Sequence, residues 1–126
     1  MATGKFTLHQ TEAGFRFNLV ASNGEIILTS EIYKTEKACR SGIASVQKNA
    51  PFAAVEDQTK EGFVKEKCPK FEVFTDAAGE LRFRLKAKNG LIIGASEGYK
   101  SFDSCRNGIR SAIVNALEAS VEKSGE

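Results

Sequence analysis

The chain has no tryptophan, one histidine, one methionine and three cysteines among its 126 residues, and no long apolar run crosses it. Without such a run, no membrane-spanning helix is expected. The cysteines are odd in number and none stands in a C-x-x-C pair, which argues against a disulfide framework and fits a reducing compartment. There is no H-x-x-x-H, no paired Cys–His set and no glycine-rich phosphate loop, so neither a metal nor another cofactor is expected. The opening Met1-Ala2-Thr3-Gly4-Lys5-Phe6 carries no apolar signal region and leads into strand-like sequence, which makes the cytoplasm the expected location. A surplus of one charge is missing too. Eighteen basic residues face 16 acidic ones, the net +2 divides evenly between the halves, and bulk charge names no partner.

What the chain does have is a duplication. Residues 16–50 reappear at 82–116, with 19 of the 35 aligned positions identical. The shared set includes Arg16/Arg82, Asn23-Gly24/Asn89-Gly90, Ser30-Glu31/Ser96-Glu97, Tyr33-Lys34/Tyr99-Lys100, Cys39-Arg40/Cys105-Arg106 and Gly42-Ile43/Gly108-Ile109. With 41% hydrophobic residues and nine phenylalanines, a chain of this length can bury a core without disulfides or metal.

Each copy opens with a strand-like run, Phe6 to Gln10 or Phe71 to Thr75, followed by a turn containing Gly14 or Gly79, after which the second copy carries one extra residue. A second strand is expected over Phe15 to Ser22 and Leu81 to Lys88. In the later copy Leu81, Phe83, Leu85 and Ala87 alternate with Arg82, Arg84, Lys86 and Lys88, giving one dry and one wet face. Asn-Gly at 23–24 and 89–90 predicts type I′ hairpins, with positive φ at both central residues, that return through Ile26 to Ser30 and Leu91 to Ser96. Thr35 and Ser101 stand where helix N-caps belong, and Cys39, Gly42, Ile43, Val46 and their counterparts form a buried stripe at helical spacing. A mid-helix glycine costs about 1 kcal/mol relative to alanine, so Gly42 and Gly108 imply a close approach. Asn49 is suited to a left-handed cap before Pro51. A short fourth strand is expected after each helix, at Ala53 to Glu56 and Ala119 to Glu122.

The unit is therefore β-β-β-α-β, with the first copy over 1–58, a linker at 59–70 and the second copy over 71–126. The Arg-Phe-x-Leu-x-Ala-x-Asn-Gly strand and hairpin, the Ser-Glu-x-Tyr-Lys junction and the Gly-Ile-x-Ser helix resemble the YegP-like family of small bacterial proteins with a domain of unknown function. The resemblance implies an α+β fold in which both repeats share one antiparallel sheet, two helices pack on one face, and the strand after each helix is exchanged into the other half. It also implies a monomer that is an internal pseudo-dimer, and it brings no activity or catalytic residue. The longer linker departs from the pattern.

Five groups of residues are weighed for chemistry. Cys39 and Cys105 lie on the apolar stripe and read as core, which leaves Cys68 as the exposed thiol. His9 maps to Phe74, so no duplicated site depends on it. Glu31 and Glu97 could meet across the pseudo-two-fold, although exposed glutamates near helix starts have a plainer role. Tyr33, Lys34 and Arg40, repeated as Tyr99, Lys100 and Arg106, form a candidate ligand-binding set at the strand-to-helix junction. Arg82, Arg84, Lys86 and Lys88 form a candidate polyanion or nucleic-acid strip, against which Glu72 and Asp76 can cancel charge. With no convergent nucleophile and base, the favoured reading is a non-enzymatic binding or interaction module. Nucleic acid is the second reading and an enzyme of unknown reaction the third.

Overall fold

The computed structural model describes residues 4–123, so the outermost ends of the two expected repeats lie outside the described residues. The first repeat forms β1 (Lys5–Thr11), β2 (Gly14–Val20), β3 (Ile26–Thr29), α1 (Glu36–Asn49) and, after a short 3-10 turn, β4 (Ala54–Asp57). The second forms β5 (Lys70–Thr75), β6 (Leu81–Lys86), β7 (Ile92–Ala95), α2 (Phe102–Leu117) and β8 (Ser120–Lys123). All eight strands make one sheet in the order β4-β5-β6-β7-β3-β2-β1-β8.

The repeats are interlocked at both edges. β4, from the first repeat, pairs with β5 of the second, and β8 pairs with β1 of the first. The exchange implied by the resemblance is therefore present. The sheet, however, is mixed rather than antiparallel throughout, because both edge pairings are parallel. Hairpins oblige their strands to be antiparallel, and the pseudo-two-fold does the same for β3 and β7. The edge strands arrive by way of a helix and carry no such obligation.

Alternation along the strands builds the core. Phe6 and Leu8 stand opposite Leu19 and Phe17, while Phe71 and Val73 stand opposite Leu85 and Phe83, all buried beneath the helices. The aromatic pairs repeat as well: Phe6–Phe17 and Phe71–Phe83 both meet edge to face at 5.7 Å. Thr35 Oγ1 and Ser101 Oγ accept from the Ala38 and Ser104 amides at 3.0 and 3.1 Å, capping the helices where the sequence placed the caps.

The glycine stripe has its reason in a tyrosine. Tyr33 stacks on Phe17, and its ring carbon Cζ lies 2.7 Å from where a Cβ on Gly42 would stand; Tyr99, Phe83 and Gly108 repeat the arrangement. Helix propensity alone predicts that Gly42→Ala stabilises the protein by about 1 kcal/mol. The geometry predicts a net loss of about 1–2 kcal/mol, because the ring must leave its stack. Urea denaturation of Gly42→Ala and Gly108→Ala reads the sign, and a gain in both would contradict this packing.

Three local expectations are corrected. Among the described residues none other than glycine has positive φ, so the Asn-Gly turns are not type I′. Each is instead a three-residue loop, closed by Ala21 N–H to Glu25 O and Ala87 N–H to Leu91 O, with Gly24 at φ 90° and Gly90 at φ 86°. The asparagines contribute through side chains, Asn23 Oδ1 and Asn89 Oδ1 each accepting an amide at 3.0 Å. These loops shorten the second strands, which end at Val20 and Lys86, and place Lys88 in a hairpin tip rather than on the wet face. Asn49, at φ −94°, is not a left-handed cap. It is buried, donates to Ser45 O at 2.7 Å and accepts from the Lys88 amide at 3.2 Å, which ties α1 to the other repeat's hairpin.

Candidate functional site

The repeated Ser-Glu-x-Tyr-Lys junction is pulled apart by the fold. Ser30 Oγ accepts from the Phe17 amide at 2.9 Å and donates to Glu31 O at 2.8 Å, and Ser96 does the same with Phe83 and Glu97, so both hydroxyls hold the strand end. Tyr33 and Tyr99 turn inward. Burial first, then the neighbouring thiols and carboxylates, raise their pKa above the usual tyrosine value and keep the hydroxyls protonated. Lys34 and Lys100 point outward, exposed. Arg40 Nε donates to Glu36 at 2.9 Å, and Glu36 also accepts from Lys123 of β8 at 2.7 Å. Arg106 lies over the Phe102 ring at 5.6 Å. The six residues therefore do not converge on one point.

Tyr99 does line a cleft, together with partners that sequence reasoning missed. The cleft has a volume of about 350 Å³, and its far wall is the β2–β3 hairpin of the first repeat. Tyr99, Ser104, Asn107 and Ser111 from the second repeat face Asn23, Glu25 and Ile26. The equivalent position on α1 holds a cleft of about 400 Å³ where Ser41, Ser45 and Lys48 face Lys88 and Asn89, and Tyr33 sits in a neighbouring one with Leu91 and Ile92. A signal existed in the helix: Ser45/Ser111 and Asn49/Asn115 are identical in both copies, and each asparagine bonds the serine four residues earlier. The facing hairpin wall was invisible, because it comes from the other repeat.

Three members of the basic strip are paired with carboxylates. Arg82 Nε lies 2.6 Å from Asp76, Arg84 Nε 2.6 Å from Glu72, and Lys86 Nζ 3.2 Å from Glu72. Arg84 also covers the Phe74 ring at 4.6 Å. Burial alone would raise the Glu72 pKa, but bonds from Arg84, Lys70 and Lys86 override it and hold it low. With Lys88 at a hairpin tip, no row of four free charges tracks along β6. Glu31 and Glu97 reach one cleft of about 300 Å³ at the β3–β7 seam, shared with Thr29 and Arg82. Among the described residues, no three His, Cys, Asp or Glu side chains are grouped to hold a metal, and no helix is long and apolar enough to cross a membrane.

Cys39 and Cys105 are sealed in the core, and burial pushes the Cys105 thiol up to about 11. Cys68 is partly exposed on the segment before β5. A thiol reagent added to the native protein is expected to modify Cys68 rapidly, and the other two only on unfolding. Mass spectrometry of the modified peptides checks this, and fast labelling of Cys39 or Cys105 would revive a reactive-thiol site.

A family model described as a domain of unknown function, DUF1508, matches this chain twice, over residues 11–57 and 76–122. The UPF0339 protein YegP of Yersinia pestis is 37% identical over 123 residues, which cover 97% of this chain and 96% of the relative. A UPF0339 protein of Photorhabdus laumondii, plu2779, is 40% identical over 96% of this chain and 94% of its own. The fold matches the solution NMR structure of yegP from E. coli, a protein of unknown function, with a TM-score of 0.78 and 35% identity over 98% of this chain and 95% of that one. Two unit matches along one chain, relatives aligned nearly end to end and a shared fold lead to one conclusion: the protein belongs to the UPF0339 family of YegP-like bacterial proteins, built from two DUF1508 repeats.

Proposed function

We propose that this protein is a non-catalytic binding module, a monomer in which two repeats stand in for a dimer, and that it recognises its partners in the clefts between one repeat's helix and the other's hairpin. The observation that carries this reading is the composite build of the Tyr99 cleft, whose walls come from residues about 80 positions apart in sequence. Such a cleft exists only in the interlocked fold. Its hydroxyls, amides and the Glu25 carboxylate suit a neutral or cationic polar group. The counterpart on α1 carries Lys48 and Lys88 instead and suits an anionic one. Duplication has thus left two sites alike in position and unlike in chemistry, as suits an asymmetric partner.

The groups kept in both repeats support the same reading, since they are occupied: Ser30 and Ser96 by strand ends and the buried thiols and tyrosines by packing, while Glu72 is held by three cations. A fragment library screened by amide NMR shifts is expected to give hits that move Asn23, Ile26, Asn107 and Ser111 together. Ser111→Leu, which fills the cleft from a half-buried helix position, is expected to remove them. Hits scattered away from the clefts, or turnover of a hit, would overturn the proposal.

A further inference from the structure

The duplication supplies an internal comparison on the sheet face opposite the helices. Arg16 on β2 and Arg82 on β6 are counterparts, and both face away from the core. In the second repeat Arg82 is tied down: Asp76 Oδ2 accepts from its Nε at 2.6 Å and Ser96 O from its Nη1 at 3.2 Å. Asp76 can do this because it has two oxygens. Its Oδ1 is spent on the hairpin turn, accepting from the Ala78 and Glu80 amides at 2.9 Å.

In the first repeat Thr11 stands where Asp76 stands in the second. Its single Oγ1 caps the turn in the same way, accepting from the Ala13 and Gly14 amides at 3.2 Å and donating to Gly14 O. Nothing remains for the arginine. Among the described residues Arg16 makes no hydrogen bond or ion pair, although it is half-buried on a strand in the middle of its half-sheet.

Directly across from Arg16, in register on β1, is His9. Opposed side chains in an antiparallel pair have Cβ atoms about 5 Å apart, so guanidinium and imidazole are neighbours on one face. The ring is held by a polar relay: Nε2 lies 2.9 Å from Thr7 Oγ1 and 3.4 Å from Asn18 Nδ2, and Thr29 Oγ1 donates to Asn18 Oδ1 at 2.9 Å. The Thr29 bond sets the amide's orientation. An amide nitrogen only donates, so Nε2 is the acceptor and the ring proton is assigned to Nδ1. That Nδ1–H has no partner among the described residues. At the corresponding place in the second repeat Phe74 replaces His9, and Arg84, paired with Glu72, replaces Asn18. Glu31, just past β3, is the acidic residue nearest in register, and it makes no ion pair with Arg16.

We propose that Arg16 and His9 form a binding site for an anionic group, a carboxylate or a phosphate ester, on the open face of the first half-sheet. The planar fork of Arg16 matches either anion in bidentate fashion, and the His9 Nδ1–H adds a third donor. The second repeat shows the same arginine already satisfied by an anion of its own, the Asp76 carboxylate.

The test titrates the full chain with inorganic phosphate and, separately, acetate, against chloride at matched ionic strength, reading the Arg16 and Arg82 Nε–H and His9 ring-nitrogen signals by NMR. Saturable shifts at Arg16 and His9, with Arg82 unmoved, are the expected result, and the tighter probe distinguishes phosphate from carboxylate. Two variants close the argument. Arg16→Gln removes the fork, and Thr11→Asp installs the carboxylate that Asp76 supplies in the other repeat while keeping the turn capped. Each is expected to weaken the anion by about tenfold or more, with the remaining amide spectrum unchanged. Equal shifts at Arg82, shifts no larger than those of chloride, or full binding by Thr11→Asp would overturn the proposal.

Discussion

Replacing Lys70 by alanine is expected to destabilise the fold by about 3–5 kcal/mol, more than any surface ion pair accounts for. Lys70 Nζ lies 2.8 Å from Glu56 and 3.1 Å from Glu72, and the side chains of all three are 8% exposed or less. The residues before β5 fold over this cluster, and the Glu66 amide donates to Glu56 Oε1 at 2.7 Å. Removing the ammonium leaves Glu56 buried without a cation, an uncompensated charge that the interior does not tolerate, while Glu72 keeps Arg84 and Lys86. The intact cluster is not itself a large source of stability, since a well-packed apolar replacement can match a buried ion pair. The cost arises from breaking it, so the double variant Lys70→Met with Glu56→Gln is expected to recover part of the loss.

The same cluster sets an acid limit. Burial alone would raise the Glu56 pKa, but bonds from Gln58, Lys70 and the Glu66 amide override it and hold it at about 2, against 4.5 for a free carboxyl. A depressed carboxylate contributes stability that is fully present above its unfolded value and is lost as pH falls through its folded value. Urea midpoints are therefore expected to decline between about pH 4.5 and 2, with a shallower decline in Glu56→Gln. A Lys70→Ala protein within about 1 kcal/mol of the parent would contradict the buried cluster.

This cluster also marks where the sequence stops being legible. On β5, Phe71 and Val73 alternate with Lys70, Glu72 and Phe74, a pattern of one dry and one wet face, and Phe71 and Val73 do lie in the core. The wet face is buried at Lys70 and Glu72 because a non-periodic stretch lies over it, and strand periodicity carries no information about what a distant loop covers. Helix caps, the glycine stripe and the duplication were readable because each is a local pattern stated twice. The hairpins were misjudged because Asn-Gly serves a three-residue loop as well as a two-residue one, and the choice depends on where the strand pairing ends. The junction set was recognised as a unit, yet its tyrosines point in and its lysines out. The Tyr99 cleft needed the other repeat's hairpin, and the Arg16 site depends on a single exchange of aspartate for threonine.

Deleting β8 by ending the chain after Ala119 is expected to cost about 2–4 kcal/mol, on the order of four backbone hydrogen bonds plus the Val121 contact. The loss should be felt in the repeat that does not contain the deleted residues. β8 pairs along Lys5 to Leu8 of β1, and Lys123 clamps Glu36 at the start of α1, so both lost supports belong to the first repeat. β5, the equivalent strand of the second repeat, keeps its own exchanged partner, β4. Interlocking is also what builds the composite clefts, and residue-resolved hydrogen exchange on the truncated chain tests it most directly. The account predicts that amides of β1 and of the first turns of α1 lose protection while those of β5 and β6 keep it. Unchanged protection in β1, with the loss confined to the second repeat, would contradict it.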